Sequence, residues 1–298
     1  MLKMKSPSQP ADNLRITSVQ TAQRVLMGSN WIEQPLPSQI TQQVGPFLLI
    51  HHWQDYFPGG QEPLDVGVGP HPHRGFSPVT CIYSGALRHR DSIGNDHVVK
   101  AGGTQWMDSG SGIVHSERPD DSIAREGGML EIIQFWVNTP QAHKMNAPSY
   151  QPLNSDETPS WDEGAWKIAL VQGEWHGHQS PIASNHPMRI ANLQCSEAGE
   201  RIALPMPGSW VGILYVLSGS IQVNNAKATG RQMIVLGTGT SEVITMSAEE
   251  NARVLFLSSA PLDEPVVSHG PFVLNTYEEV QRAIMDYHDG KMGNLIET

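Results

Sequence analysis

The sequence predicts an all-β protein built as two domains of similar size, and three observations carry that reading. Twenty-eight glycines and 22 prolines cut the 298 residues into short segments, so few stretches are long enough and free enough of breakers for extended helices. Between the breakers lie short runs rich in β-branched and aromatic residues, the composition of strands joined by turns. A proline-rich, polar stretch from Thr139 to Gly164 then separates two such series. With 39% hydrophobic residues, the chain can supply a core to each of two domains of about 150 residues.

The first series runs from about Ile16 to Val137 and includes the strand-like runs 46–50 (PFLLI), 79–83 (VTCIY) and 129–137 (MLEIIQFWV). The stretch that follows carries Pro140, Pro148, Pro152 and Pro159 and is expected neither to continue a ladder nor to build a core, which makes it the interdomain connection. The domains are placed at 1–143 and 144–298. Strand-like runs resume at 166–171 (WKIALV), 213–217 (ILYVL) and 254–257 (VLFL). The end of the chain differs: Thr276 and Glu279 form a T-x-x-E capping box, Val280, Ile284 and Tyr287 recur on one helical face, and Gly290 supplies a stop. One amphipathic helix is expected there.

The two series echo each other. Ile82-Tyr83-Ser84-Gly85-Ala86-Leu87 matches Val216-Leu217-Ser218-Gly219-Ser220-Ile221, and Gly103-Thr104-Gln105-Trp106-Met107 matches Gly230-Arg231-Gln232-Met233-Ile234. This points to a duplicated unit.

Composition excludes several classes of function. Nineteen Lys and Arg against 30 Asp and Glu give a net charge of −11, and no basic cluster stands ready to neutralise successive phosphates, so direct nucleic-acid binding is not expected. Cys81 and Cys195 are far apart and in no C-x-x-C pairing, which implies neither a disulfide framework nor a thiolate zinc site. The basic N-terminus lacks the apolar core of a signal peptide, and nowhere do about 18 apolar residues run together as a membrane span requires. A cytoplasmic protein, monomeric or weakly dimeric, is the expectation.

The chemistry sits in the first half. His71-Pro72-His73 places two imidazoles at i and i+2, which an extended strand directs to one face. After a Gly-Ser-Gly turn, His115 and Glu117 repeat the device with an imidazole and a carboxylate. One His-x-His alone is a weak signal; a second same-face pair in the same half makes a candidate site of three nitrogens and one oxygen. Such donors favour iron, manganese, nickel, copper or zinc over calcium or magnesium, and leave coordination positions open for a substrate. His176-Gly177-His178 has no companion pair in its own half and is read as a surface loop. His51, His52, His89, His97, His143, His186, His269 and His288 are read as hydrogen-bonded or solvated, with room for one of them to support a ligand from behind. Cys81 lies in a strand-like run and is read as a packed thiol.

His71-Pro72-His73-Arg74-Gly75-Phe76, Gln105-Trp106-Met107, Gly110 to Glu117 and the late run His269-Gly270-Pro271-Phe272-Val273-Leu274-Asn275-Thr276 together resemble the pirins, a branch of the cupin superfamily. The resemblance spans about Arg15 to Lys291. It implies a bicupin, two jelly-roll-like β-barrels packed face to face with a C-terminal helix, and one metal ion, in the N-terminal barrel only. It carries the ligand role to His71, His73, His115 and Glu117, with Fe(II) the first expectation and Zn, Mn, Ni and Cu as alternatives. The chain departs from the family at Ser77, where a glutamate is common, so the charge near the entrance to the site is expected to differ. Some pirins are similar in activity to quercetin 2,3-dioxygenase, which opens a flavonol with O2 and releases CO; Glu117 would then take the proton of the flavonol 3-hydroxyl. The rival that the resemblance implies is a metal-dependent regulatory protein that senses redox state and binds partner proteins without turnover. A sugar isomerase or similar cupin enzyme ranks below both.

Overall fold

The computed structural model describes residues 15–28 and 30–297. Its first half is a seven-stranded sheet in the order Ser149–Leu153, Thr104–Asp108, Phe76–Ser84, Gly128–Asn138, Phe47–Phe57, Asn30–Leu36 and Gln23–Met27. Facing it is a four-stranded sheet, Val68–His73, Ile113–Pro119, Ala86–Asp91 and Asp96–Lys100. The second half repeats the plan. Its seven strands run Ile16–Thr21, Gln232–Leu236, Val211–Ser218, Ala252–Ser259, Met188–Cys195, Trp166–Gln172 and Ser160–Glu163, and its four run Arg201–Pro205, Val243–Ala248, Ser220–Val223 and Ala226–Thr229. The sequence echo falls on equivalent positions: Gly85 and Gly219 each turn the chain from a seven-stranded sheet into a four-stranded one, with φ of 77° and 76°. All the named strand pairings are antiparallel, and the expected strand-like runs fall within strands except for Pro46, a turn residue just before Phe47–Phe57.

Alternation along the strands separates two cores. On one face of the large sheets, Val79, Cys81, Trp106, Ile133 and Phe135 of the first half meet Val171, Ile190, Ile213, Tyr215, Leu255 and Leu257 of the second, which fuses the halves face to face. The interior of the second barrel is filled by apolar side chains, among them Ile202, Leu204, Leu214, Met246 and Phe256.

Three expectations need correction. The stretch 139–164 is not a featureless connection: Ser149–Leu153 adds to the edge of the first large sheet, pairing Pro152 with Gln105, and Leu153 is buried between the halves. An edge strand tolerates proline because its outward side needs no donor. Nor do the sheets follow the 143/144 division. Ile16–Thr21 pairs with Gln232–Leu236 in the second half, while the hairpin Val267–His269/Phe272–Leu274 and the helix Tyr277–His288 pack on the first. That helix begins with the full capping box of Thr276 and Glu279, but it buries Val280 and Ala283, with Tyr287 37% exposed. Among the described residues, no helix is long and apolar enough to cross a membrane.

Candidate metal centre

Three strand positions bring His71, His73 and His115 together. His71 lies directly opposite His115 in the ladder between Val68–His73 and Ile113–Pro119, and His73 opposes Ile113, so the two neighbouring strands present all three imidazoles to the barrel interior. One ring nitrogen of each lies within 4.8 Å of the others. Among the described residues, this is the group of His, Cys, Asp or Glu side chains placed to hold an ion.

The remaining ring nitrogens decide which lone pairs face inward. His71 Nδ1 donates to the Gly69 carbonyl at 2.8 Å, and His73 Nδ1 to the Pro271 carbonyl at 3.4 Å. A carbonyl can only accept, so both Nε2 atoms keep free lone pairs. His115 Nε2 is buried and has no hydrogen-bond partner. Burial, then the neighbouring His71, holds the pKa of His73 and of His115 well below the ordinary imidazole value, which keeps both neutral as a metal ligand must be. An orphaned buried nitrogen beside two inward-facing imidazoles fits a divalent first-row ion.

Glu117 stands outside this three-nitrogen group. A register shift after His115 sets Glu117 opposite Val68 on one side, while on the other it faces His89. Its carboxylate accepts both contacts of Gln134 Nε2, at 2.7 and 3.0 Å, and one from Thr80 Oγ1 at 3.1 Å. Gln134 and Thr80 reach it from the facing large sheet. Phe76 and Trp136 form an aromatic wall, their rings 4.3 Å apart and 4.9 and 5.7 Å from His73.

The late sequence motif has a local task. Gly75 has φ of 84°, and a Cβ there would lie 2.1 Å from the Val273 carbonyl oxygen, so only glycine lets the C-terminal hairpin close on this strand end. The hairpin is then fixed by Val273 N donating to the Arg74 carbonyl and by Lys144 Nζ donating to the carbonyls of Gly75 and Val273, and the helix after it by an ion pair between Arg74 and Asp286. This docking delivers the Pro271 carbonyl to His73.

Other candidates separate cleanly. His176 and His178 are exposed on a two-stranded hairpin, one paired with Glu163 and the other stacked on Trp161. Burial pushes the Cys81 thiol up to about 11, leaving it unreactive. Ser77 corrects an expectation: it shares the strand face of Val79 and Cys81, away from the three histidines, and donates to Asp108 at 2.5 Å. Its difference from the family therefore lies on the face between the two halves and not on that of the three histidines. Sequence reasoning missed Gln134, Thr80, Trp136 and Tyr150, and left His89 in a crowd. His89-x-Asp91 has the same i, i+2 spacing as the ligand pairs, a signal that was available.

Two barrels of one plan, one packed solid and the other holding three inward imidazoles, define a bicupin with a candidate metal centre in its N-terminal half. Comparison with known proteins narrows the class. The Pirin profile matches residues 29–137 and the Pirin C-terminal cupin domain matches residues 191–293, and the chain belongs to the pirin family. A candidate quercetin 2,3-dioxygenase of Pseudomonas aeruginosa is 35% identical over 257 residues, covering 84% of this chain and 87% of that one. Human pirin is 32% identical over 257 residues, covering 85% and 84%. The crystal structure of a quercetin 2,3-dioxygenase from Acinetobacter baumannii superposes with a TM-score of 0.87 at 30% identity, covering 95% of this chain and 99% of that one.

Proposed function

We propose that the protein is a metal-dependent dioxygenase that opens flavonol-like phenols with O2 and releases CO, with His71, His73 and His115 holding one ion and Glu117 serving as base and fourth donor. The observation that carries this reading is the pairing of three inward imidazoles with a carboxylate fixed by Gln134 and Thr80 in the same barrel. The relatives named for quercetin cleavage support the substrate class. When bound, a divalent ion supplies a Lewis acid that lowers the pKa of a phenolic hydroxyl and a centre for one-electron chemistry. Glu117 accepts the proton of the 3-hydroxyl on one carboxylate oxygen, while the Gln134 amide and the Thr80 hydroxyl hold that carboxylate in place. Phe76 and Trp136 offer apolar faces to the planar rings. In the net reaction both oxygen atoms of O2 are added to the two carbons flanking C3, and C3 leaves with its oxygen as CO.

The test is anaerobic iron loading followed by an assay of quercetin consumption and CO release, beside Glu117→Ala. Turnover that is lost in the variant is the expected result. A fully loaded wild-type protein that releases no CO overturns the dioxygenase reading in favour of metal-dependent regulation.

A further inference from the structure

His71 and His73 have their Nδ1 protons fixed by carbonyls, but His115 does not. Its Nδ1 lies 3.4 Å from Nδ1 of His89, a nitrogen that can donate or accept. Which of the two it does is decided one residue further out. His89 Nε2 lies 3.0 Å from Asp91 Oδ2, and both side chains are buried, His89 at 1% and Asp91 at 3% exposure. Three further donors surround the same carboxylate: Ile93 N at 3.1 Å, Asn95 N at 3.0 Å and Asn95 Nδ2 at 2.8 Å. A carboxylate so enclosed by donors acts only as an acceptor. His89 therefore carries its proton on Nε2 and turns the lone pair of Nδ1 toward His115. His115 must then donate from Nδ1, which leaves the lone pair on its buried, unpartnered Nε2. Tyr150, from the edge strand in the 139–164 stretch, stacks flat on His89, with ring centroids 3.9 Å apart and planes 3° from parallel, so the imidazole cannot turn over freely.

We propose that Asp91 and His89 are positioning residues that hold the proton of His115 on Nδ1 and so present its Nε2 lone pair for metal binding, with Tyr150 clamping His89. The inference rests on the reading of the three histidines as a metal centre. It makes this ligand alone dependent on a buried carboxylate, where its two neighbours depend on the backbone.

Long-range nitrogen–proton NMR on metal-free protein with labelled imidazoles reads the tautomers directly. The expected spectrum shows His115 protonated at Nδ1 and His89 at Nε2; a proton on His115 Nε2 overturns the proposal. Nickel(II) titration against a competing chelator gives the second readout. Asp91→Asn, whose amide can donate to His89 and reverse the chain, should weaken binding about 10- to 100-fold, the usual effect of losing such a partner. His89→Phe, which keeps a ring to stack on Tyr150 but has no nitrogen, should do the same and serves if Asp91→Asn fails to fold. Wild-type affinity in the folded variants refutes the positioning role. A wild-type protein that takes up no nickel refutes instead the metal reading beneath it.

Discussion

Gln134 shows how much a single side chain can matter without touching the three histidines. Its amide makes both of the shortest contacts to Glu117, whereas Thr80 adds one longer bond. Gln134→Ala is expected to reduce kcat/KM for quercetin about 10- to 100-fold, and Thr80→Val by less, with iron content unchanged in both. Steady-state kinetics on metal-analysed protein checks the order. The residues of the candidate site were unequally legible in the sequence. His71, His73, His115 and Glu117 announce themselves because i and i+2 share a strand face, a relation local to the chain. Gln134, Thr80 and Tyr150 do not, because their partners are fixed by the pairing of strands far apart in sequence. The register shift after His115, which sets Glu117 opposite Val68, is equally invisible until the ladder is known.

The C-terminal hairpin and helix were legible as structure but not as to where they dock. The capping box fixes the helix start from four residues alone, and Thr276→Ala should cost about 1 kcal/mol in denaturant unfolding. Docking depends instead on Gly75, where an added Cβ would strike the Val273 carbonyl oxygen. Gly75→Ala is expected to destabilise by more than about 1 kcal/mol, since the new side chain meets both a positive φ and fixed backbone. It should also weaken nickel binding, because the displaced hairpin carries the Pro271 carbonyl away from His73. Unchanged affinity by chelator competition would show that this carbonyl does not orient the ligand. The strand Ser149–Leu153 escaped the sequence reading for a different reason. Pro152 looks like a ladder breaker, yet an edge has a side where a missing donor costs nothing.

At the scale of the whole molecule, the shared core and the exchanged ends make one unit of two barrels. Leu257 is fully buried between them, and Leu257→Ala should cost about 2–5 kcal/mol while lowering the unfolding midpoint of both halves together. His52, at the join, and His51, which faces Gln34 within the first half, carry a pH dependence. Burial lowers His51 and His52 from 6.5 to about 4. The unfolded chain therefore takes up protons that the folded one refuses, and stability falls as pH drops from 6.5 toward 4. Burial acts to raise Glu131, but hydrogen bonds from His52 and Arg253 outweigh it and bring the carboxyl from 4.5 down to about 2. Its contribution is full above 4.5 and is lost as pH falls toward 2. Thermal melts from pH 7 downward should decline first across the histidine window, and Glu131→Gln should flatten the lower part while steepening the histidine window, because Glu131 also raises His52. The duplication was legible in two short echoes; the difference in function lies in what fills each barrel. Imidazoles line one, and Ile202, Leu204, Leu214 and Met246 fill the other, where no group of metal-binding side chains is found among the described residues. A single metal centre in the first barrel is read most directly from metal stoichiometry. Anaerobic reconstitution with iron(II), followed by metal analysis of wild type, His115→Ala and His176→Ala, should give one ion per chain, none, and one. Two ions in the wild type, or equal iron in both variants, would contradict a single centre built on His71, His73 and His115.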